Sequence, residues 1–156
     1  MPSITPSSVK QIPLSYASCS IGCKPSHTLP QKLEAISKVG FIAIELSFPD
    51  ILQYGAQLRG HPIAPDDYVE LRQVAGEIRS LCDANSLKVM MLQPFANFEA
   101  WPKCSPERED AFARAKGWIE IMKAVETDLL QVGTYTGKTL FLPLQYVALQ
   151  PLKPRY

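Results

Sequence analysis

Apolar positions along this chain change period several times, and the changes mark alternating strand-like and helix-like stretches. Leu14-Ser-Tyr-Ala-Ser-Cys-Ser20 is a short strand-like run that ends in small polar residues. Thr28-Leu-Pro-Gln31 has the capping-box pattern, with Thr28 capping a helix and Gln31 reaching back to it. Leu29, Leu33 and Ile36 then recur at helical spacing, and Gly40 supplies a C-terminal stop. Residues 41–48 are nearly all apolar, broken by Glu45, as in a parallel strand covered on both faces. A loop with Pro and Gly is expected from there to Asp67, where an Asp67-Tyr-Val-Glu70 cap opens a second helix. Its apolar stripe is Leu71, Val74, Ile78 and Leu81, and Asn85 suits its end. The third strand is predicted over 87–93, stopped by Pro94. Ser105-Pro106 opens a third helix with Pro at its favoured first position, and Phe112, Ala115, Ile119 and Met122 form its predicted buried face. A fourth strand, 129–132, ends at Gly133.

The order β-α-β-α-β-α-β predicts an α/β fold with a parallel sheet. Right-handed crossovers are compatible with an open doubly wound sheet and with the wall of a barrel, and periodicity does not choose between them. After Gly133 the pattern changes. Residues 134–156 carry no capping signal, no helical stripe and no acidic residue, and Pro143, Pro151 and Pro154 interrupt them. The expected organisation is a frayed Ser- and Pro-rich N-terminus over 1–12, an α/β unit over 13–133, and an irregular tail over 134–156.

With 46% hydrophobic and 20% charged residues in 156, the composition is that of a globular chain able to bury a core. Sixteen basic against fifteen acidic residues leave a net charge of +1, which offers no electrostatic footprint for nucleic acid or an anionic membrane. No apolar run approaches the roughly 20 residues of a membrane span. The N-terminus has no apolar segment of the signal-peptide kind, so a cytoplasmic location is expected. Cys19, Cys23, Cys82 and Cys104 do not have the spacing of a disulfide framework. The run from Cys19 through Cys23 to His27 lacks the fourth ligand zinc requires, so no metal site is assigned and the thiols are read as reduced.

Several residues invite a functional reading. Glu45 sits in apolar surroundings at the end of the second strand, where a carboxylate must be paired, protonated or bound. It is either a site residue, contacting substrate or orienting another group, or one half of an internal salt bridge with a lysine or arginine. Gln93-Pro94-Phe95 holds the equivalent place after strand three: Gln93 offers an amide, and Phe95 a wall for a sugar-sized pocket. Phe98, Glu99 and Trp101 follow in the same loop, a mixture that suits small polyols and ordinary loop packing equally. Gly133-Thr-Tyr-Thr-Gly137-Lys138-Thr139 has three residues between its glycines where a phosphate-binding loop needs four, so it is read as a turn. His27 and His61 have no partner set for a nucleophilic triad, His61 is read as a surface loop residue, and Cys82 within the second helix is read as packing.

The stretches 14–20, Gly40-Phe-Ile-Ala-Ile-Glu-Leu46, Leu92-Gln-Pro-Phe95 and Asp128-Leu-Leu-Gln-Val132 resemble the xylose isomerase-like TIM barrels, the sugar phosphate isomerase/epimerase group. Leu92-Gln-Pro-Phe95 followed by Phe98-Glu99, with Ala115-Lys-Gly-Trp-Ile-Glu-Ile121 further on, is similar to fungal 3-dehydroshikimate dehydratases. This resemblance covers residues 13–133 and leaves 134–156 as a non-family tail. It implies a barrel of eight parallel strands, about 250 residues in its typical form. It also implies chemistry on a small polyhydroxylated carbonyl substrate, assisted in full-length members by a divalent metal that polarises a carbonyl or enolate oxygen. That metal is held by carboxylates and histidine at the ends of later strands, so no metal ligand and no catalytic residue can be named in this chain. Glu45, Gln93, Phe95 and Glu99 carry over as substrate-binding positions. The expectation is a partial (β/α)8 barrel of about four βα units, a truncated lyase or isomerase inactive alone because the metal-binding half is missing. The alternative is a half-barrel that self-associates through its open sheet edges as a non-catalytic interaction protein. A third reading is an unrelated small α/β binding module.

Overall fold

The fold is seen in a computed structural model that describes residues 12–22, 24, 26–99 and 101–133. Strand β1 (Ser15–Ala17) runs into a 3₁₀ turn (Ser18–Ser20), followed by helix α1 (Leu29–Lys38). Next come β2 (Ala43–Ser47), α2 (Phe48–Arg59), α3 (Tyr68–Ala84), β3 (Lys88–Phe95), α4 (Pro106–Ala124) and β4 (Leu130–Val132). All the strand pairs are parallel, and their order is β1-β2-β3-β4. A doubly wound sheet reverses its strand order at a switch point. This sheet advances in one direction through all four strands, so it is a segment of barrel wall.

The expected caps are present. Gln31 accepts the Thr28 backbone N–H at 3.0 Å, Asp67 accepts from Glu70 at 3.1 Å, and the Ser105 hydroxyl accepts from Arg108 at 3.2 Å. Gly40, just past α1, has φ +90°, a backbone conformation that a side chain would strain.

Three local expectations are corrected. Residues 48–59 are a helix, where a loop was expected. Pro49 lies in its first turn, where a missing N–H breaks no helical bond. Gly55 is required by space, since a Cβ there would come within 2.6 Å of Ile63 Cδ1. Strand β3 also continues through Pro94 to Phe95. The register against β4 shifts between Leu92 and Phe95, so Pro94 falls in the irregular interval where a ladder donor is dispensable. Finally, the buried face of α4 keeps Met122 and Ala115 of the expected set and loses Phe112 and Ile119. Phe112 and Ile119 are about half exposed (46% and 45%), while Ala111, Trp118, Ile121 and Met122 face the core. Trp118 fixes that face, stacking on Phe48 at 4.4 Å and lying 5.0 Å from Phe95. Gly117 lets α4 approach α3 so closely that a Cβ would meet the Tyr68 ring.

The core lies between the sheet and its helices. Ile44 and Val89 are register partners buried beneath the helices, and Tyr16, paired with Ile44, packs against the same cluster. The register shift between Ile44 and Glu45 absorbs the extra residue of β3. Leu46 and Leu92, register partners, are fully buried on the helix side, so Glu45 and Met91 just before them, with Ala17 paired to Glu45, point to the side away from the helices. In a closed barrel that side is the interior. No helix among the described residues is long and apolar enough to cross a membrane.

Candidate functional site

Glu45 and Gln93 are brought together at the C-terminal ends of β2 and β3. Gln93 pairs in register with Ser47, and alternation places it on the same face as Glu45. Its side-chain Nε2 donates to Glu45 Oε2 at 3.2 Å and lies 4.0 Å from the Cys19 sulfur, at the end of β1. Gln93 is buried, Glu45 half-buried and Cys19 exposed. The strand ends therefore present a carboxylate held by a neutral amide, open on one side.

Phe95 and Glu99 are not part of that group. Phe95 is 1% exposed, and its ring is enclosed by Trp118 and by Phe98, whose centroid is 5.7 Å away. Packing consumes its surface. Glu99 is exposed and borders a shallow cleft of ≈ 140 Å³ formed with Phe98, Trp101, Arg108 and Phe112. Phe98 meets Phe112 edge-on at 5.4 Å, which turns this cleft toward α4 and away from the inner face. Arg114 pins the intervening loop. Its guanidinium donates to the Ala96 and Asn97 carbonyls at 3.1 and 2.9 Å and sits 5.2 Å over the Phe95 ring.

A buried ion pair close by was not foreseen from the sequence. Lys32, from α1, donates to Asp50 Oδ1 at 2.7 Å and to the Ser18 carbonyl at 3.2 Å, with both charged side chains 7% exposed. The Ser18 hydroxyl donates to Asp50 Oδ2 at 2.6 Å and accepts the Ser47 N–H at 2.9 Å. The internal salt bridge considered for Glu45 thus belongs to Asp50. Lys32 carries the signal that could have revealed it: a lysine between Leu29, Leu33 and Ile36 on the buried stripe of α1 needs an anion in the core.

The remaining candidates are structurally plain. His61 is exposed, with Nδ1 3.1 Å from the Pro62 carbonyl. Cys82 is fully buried in α3, and burial pushes its thiol up to about 12. His27 is exposed, while Cys23 and the glycine-containing segment beyond Gly133 lie outside the described residues. The donors at the strand ends do not fit a divalent metal. The corner offers one carboxylate, with an oxygen already taken by the Gln93 amide, and a thiol beside that amide, whereas a hard cation requires several oxygens. No group of three or more His, Cys, Asp or Glu placed to hold a metal occurs among the described residues.

With this geometry in hand, comparison with known proteins gives a consistent picture. The xylose isomerase-like TIM barrel family model matches residues 33–148. A 3-dehydroshikimate dehydratase of Neurospora crassa is 30% identical over 122 residues, covering 76% of this chain and 34% of the fungal protein. A 3-dehydroshikimate dehydratase of Pseudomonas aeruginosa is 32% identical over 108 residues, covering 69% of this chain and 14% of that protein. Among solved structures, a xylose isomerase-like TIM barrel/4-hydroxyphenylpyruvate dioxygenase fusion protein is similar with a TM-score of 0.57. It is 25% identical and covers 78% of this chain and 16% of its own. The chain spans about a third or less of the length of these relatives. The family match runs past Gly133 into the segment expected to be a non-family tail, which lies outside the described residues.

Proposed function

Because the chain belongs to the xylose isomerase-like TIM barrel family, we propose that it forms the first-half wall of a lyase site for a small polyhydroxylated carbonyl compound of the 3-dehydroshikimate type. The observation that carries this reading is the Glu45–Gln93 pair, open to the inner face at the strand ends where barrel enzymes place their chemistry. The relatives named above are 3-dehydroshikimate dehydratases, which supports the substrate class.

Members of the family are generally metal-dependent, and the metal supplies stabilisation of an oxygen on which charge develops. The described residues do not assemble a site for it. In our reading Glu45 and Gln93 hold and orient substrate, while proton abstraction and loss of hydroxide require groups that the described residues do not supply. The chain alone is therefore a binder without turnover. Mixing it with 3-dehydroshikimate and Mg²⁺ or Mn²⁺, and following absorbance of the aromatic product, is expected to show no conversion above a protein-free control. Metal-dependent turnover would refute the inactivity. A ligand that leaves the Gln93 side-chain amide resonance unmoved would refute the substrate contact.

A second reading, a half-barrel that associates with itself, is favoured by one observation. Leu14, Ile42 and Leu129 are each about half exposed around an apolar cavity of ≈ 390 Å³ at the N-terminal ends of the strands. Among the described residues β1 and β4 are edge strands, and open edges would add to the tendency. Light scattering that shows a monomer at all concentrations would remove this reading. A cytoplasmic location remains our proposal, and it agrees with the free thiols at Cys19, Cys82 and Cys104.

A further inference from the structure

We infer that the Glu45–Gln93 pair is an acceptor-only subsite that grips ligand hydroxyl groups, leaving a substrate's carboxylate and carbonyl oxygens to be handled elsewhere. The inference rests on the reading above for its ligand class and extends it to which part of the ligand is held here.

A side-chain amide has two unlike ends. Its NH₂ end carries two donors and its oxygen only accepts. Opposite a carboxylate, only the NH₂ end can form a hydrogen bond, so the orientation of Gln93 is dictated by Glu45. Nε2 donates to Glu45 Oε2 at 3.2 Å, and the same nitrogen is 4.0 Å from the Cys19 sulfur. The donors of Gln93 are thereby turned toward protein, and Oε1 is left over. Among the described residues no donor engages Gln93 Oε1 or Glu45 Oε1 and no cation pairs with Glu45.

A ligand group entering this corner meets a carboxylate oxygen and an amide oxygen. It must donate to both or leave a half-buried charge without a partner. A hydroxyl donates, whereas a ketone oxygen or a carboxylate only accepts, and a carboxylate would also be repelled by Glu45. The ammonium at this end of the sheet offers no relief, because Lys32 is closed off by Asp50 and the Ser18 carbonyl. A site built to accept hydroxyl protons discriminates strongly against analogues that lack them.

The test uses the full chain, labelled with ¹⁵N, and follows the Gln93 side-chain amide during titration with four probes. These are 3-dehydroshikimate, its methyl ester, its di-O-methyl ether, and myo-inositol, which carries hydroxyls and no carboxylate or ketone. The ester is expected to bind within about threefold of the parent, and the ether about tenfold or more weaker, the worth of a hydroxyl bond to a charged acceptor. Myo-inositol is expected to move the same resonance, and Glu45→Gln to weaken it about tenfold. If the ester loses binding and the ether keeps it, the subsite assignment is overturned while the substrate class stands. If myo-inositol binds and 3-dehydroshikimate does not, the hydroxyl subsite stands and the proposed substrate falls. If no probe shifts the resonance, the hydroxyl subsite is overturned.

Discussion

Glu45 in β2 and Asp50 in the first turn of α2 lie at the same end of the sheet, five residues apart, and have opposite surroundings. Asp50 is enclosed: Lys32 and the Ser18 hydroxyl occupy its two oxygens, and it is 6% exposed. Glu45 is half-buried and is held on one oxygen by a neutral amide. The difference separates a carboxylate that ties elements together from one whose bonding capacity is left open. The first belongs to a cluster of four hydrogen bonds that joins the 3₁₀ turn after β1, α1, α2 and the end of β2. The second faces the inner side of the sheet with acceptors to spare, which is what a ligand contact requires.

Removing one partner tests the enclosed half of this comparison most severely. Lys32→Met leaves Asp50 charged and buried, and is expected to lower unfolding free energy by about 3–5 kcal/mol in urea melts. A loss under about 1 kcal/mol would mean that Asp50 is wetter than its burial indicates. Ser18→Ala removes a donor to Asp50 and the acceptor for Ser47 N–H, at an expected cost of about 1–3 kcal/mol by the same measurement.

Cys82 sharpens the contrast with a buried titratable group for which burial outweighs the nearby Arg79 cation. Its folded value of about 12 lies above the roughly 8.5 of a free thiol. The folded state therefore holds a proton that the unfolded state has released. The contribution to stability is fully present below about pH 8.5 and declines by at most about 1.4 kcal/mol per pH unit up to the folded value. Urea melts from pH 8 to 10 should show a decline that Cys82→Ala lacks. At pH 8 a thiol reagent should label Cys19 and Cys104, which are exposed, well before Cys82. The smallest effect is expected at the open carboxylate: Glu45→Gln should change stability by no more than about 0.5 kcal/mol. A larger loss would make Glu45 a structural tie like Asp50.

How much of this was legible in the sequence depends on the range of the interaction concerned. Capping signals at Thr28, Asp67 and Ser105 placed three helix starts, because a cap bonds within three residues. Helix α2 was missed because Pro49 and Gly55 are helix breakers in most settings. Here a first-turn position excuses Pro49, and contact with Ile63 and Val74 demands Gly55. Of the expected face of α4, Met122 and Ala115 reach the core but Phe112 and Ile119 do not, since these two are as apolar as Trp118 and Ile121. Only the Phe48 and Phe95 rings across the core choose between the two stripes. At the site, Glu45 and Gln93 were read as strand-end residues of one kind, and the structure adds the bond between them. Phe95 and Glu99 were grouped with them by loop position, but Phe95 ends β3 packed on Trp118, and the turn that follows sends Glu99 toward α4.

The sequence by itself determined the alternation of strands and helices and the end of the sheet at which the polar residues gather. Both follow from hydrophobic period and capping, which act over a few residues. Tertiary structure alone decided which carboxylate is closed and which is open. The partners of Asp50 lie 18 and 32 residues away at Lys32 and Ser18, and Gln93 lies 48 residues from Glu45. A charge is matched by whatever the fold brings within hydrogen-bonding distance, and that neighbourhood exists only once the strands are side by side.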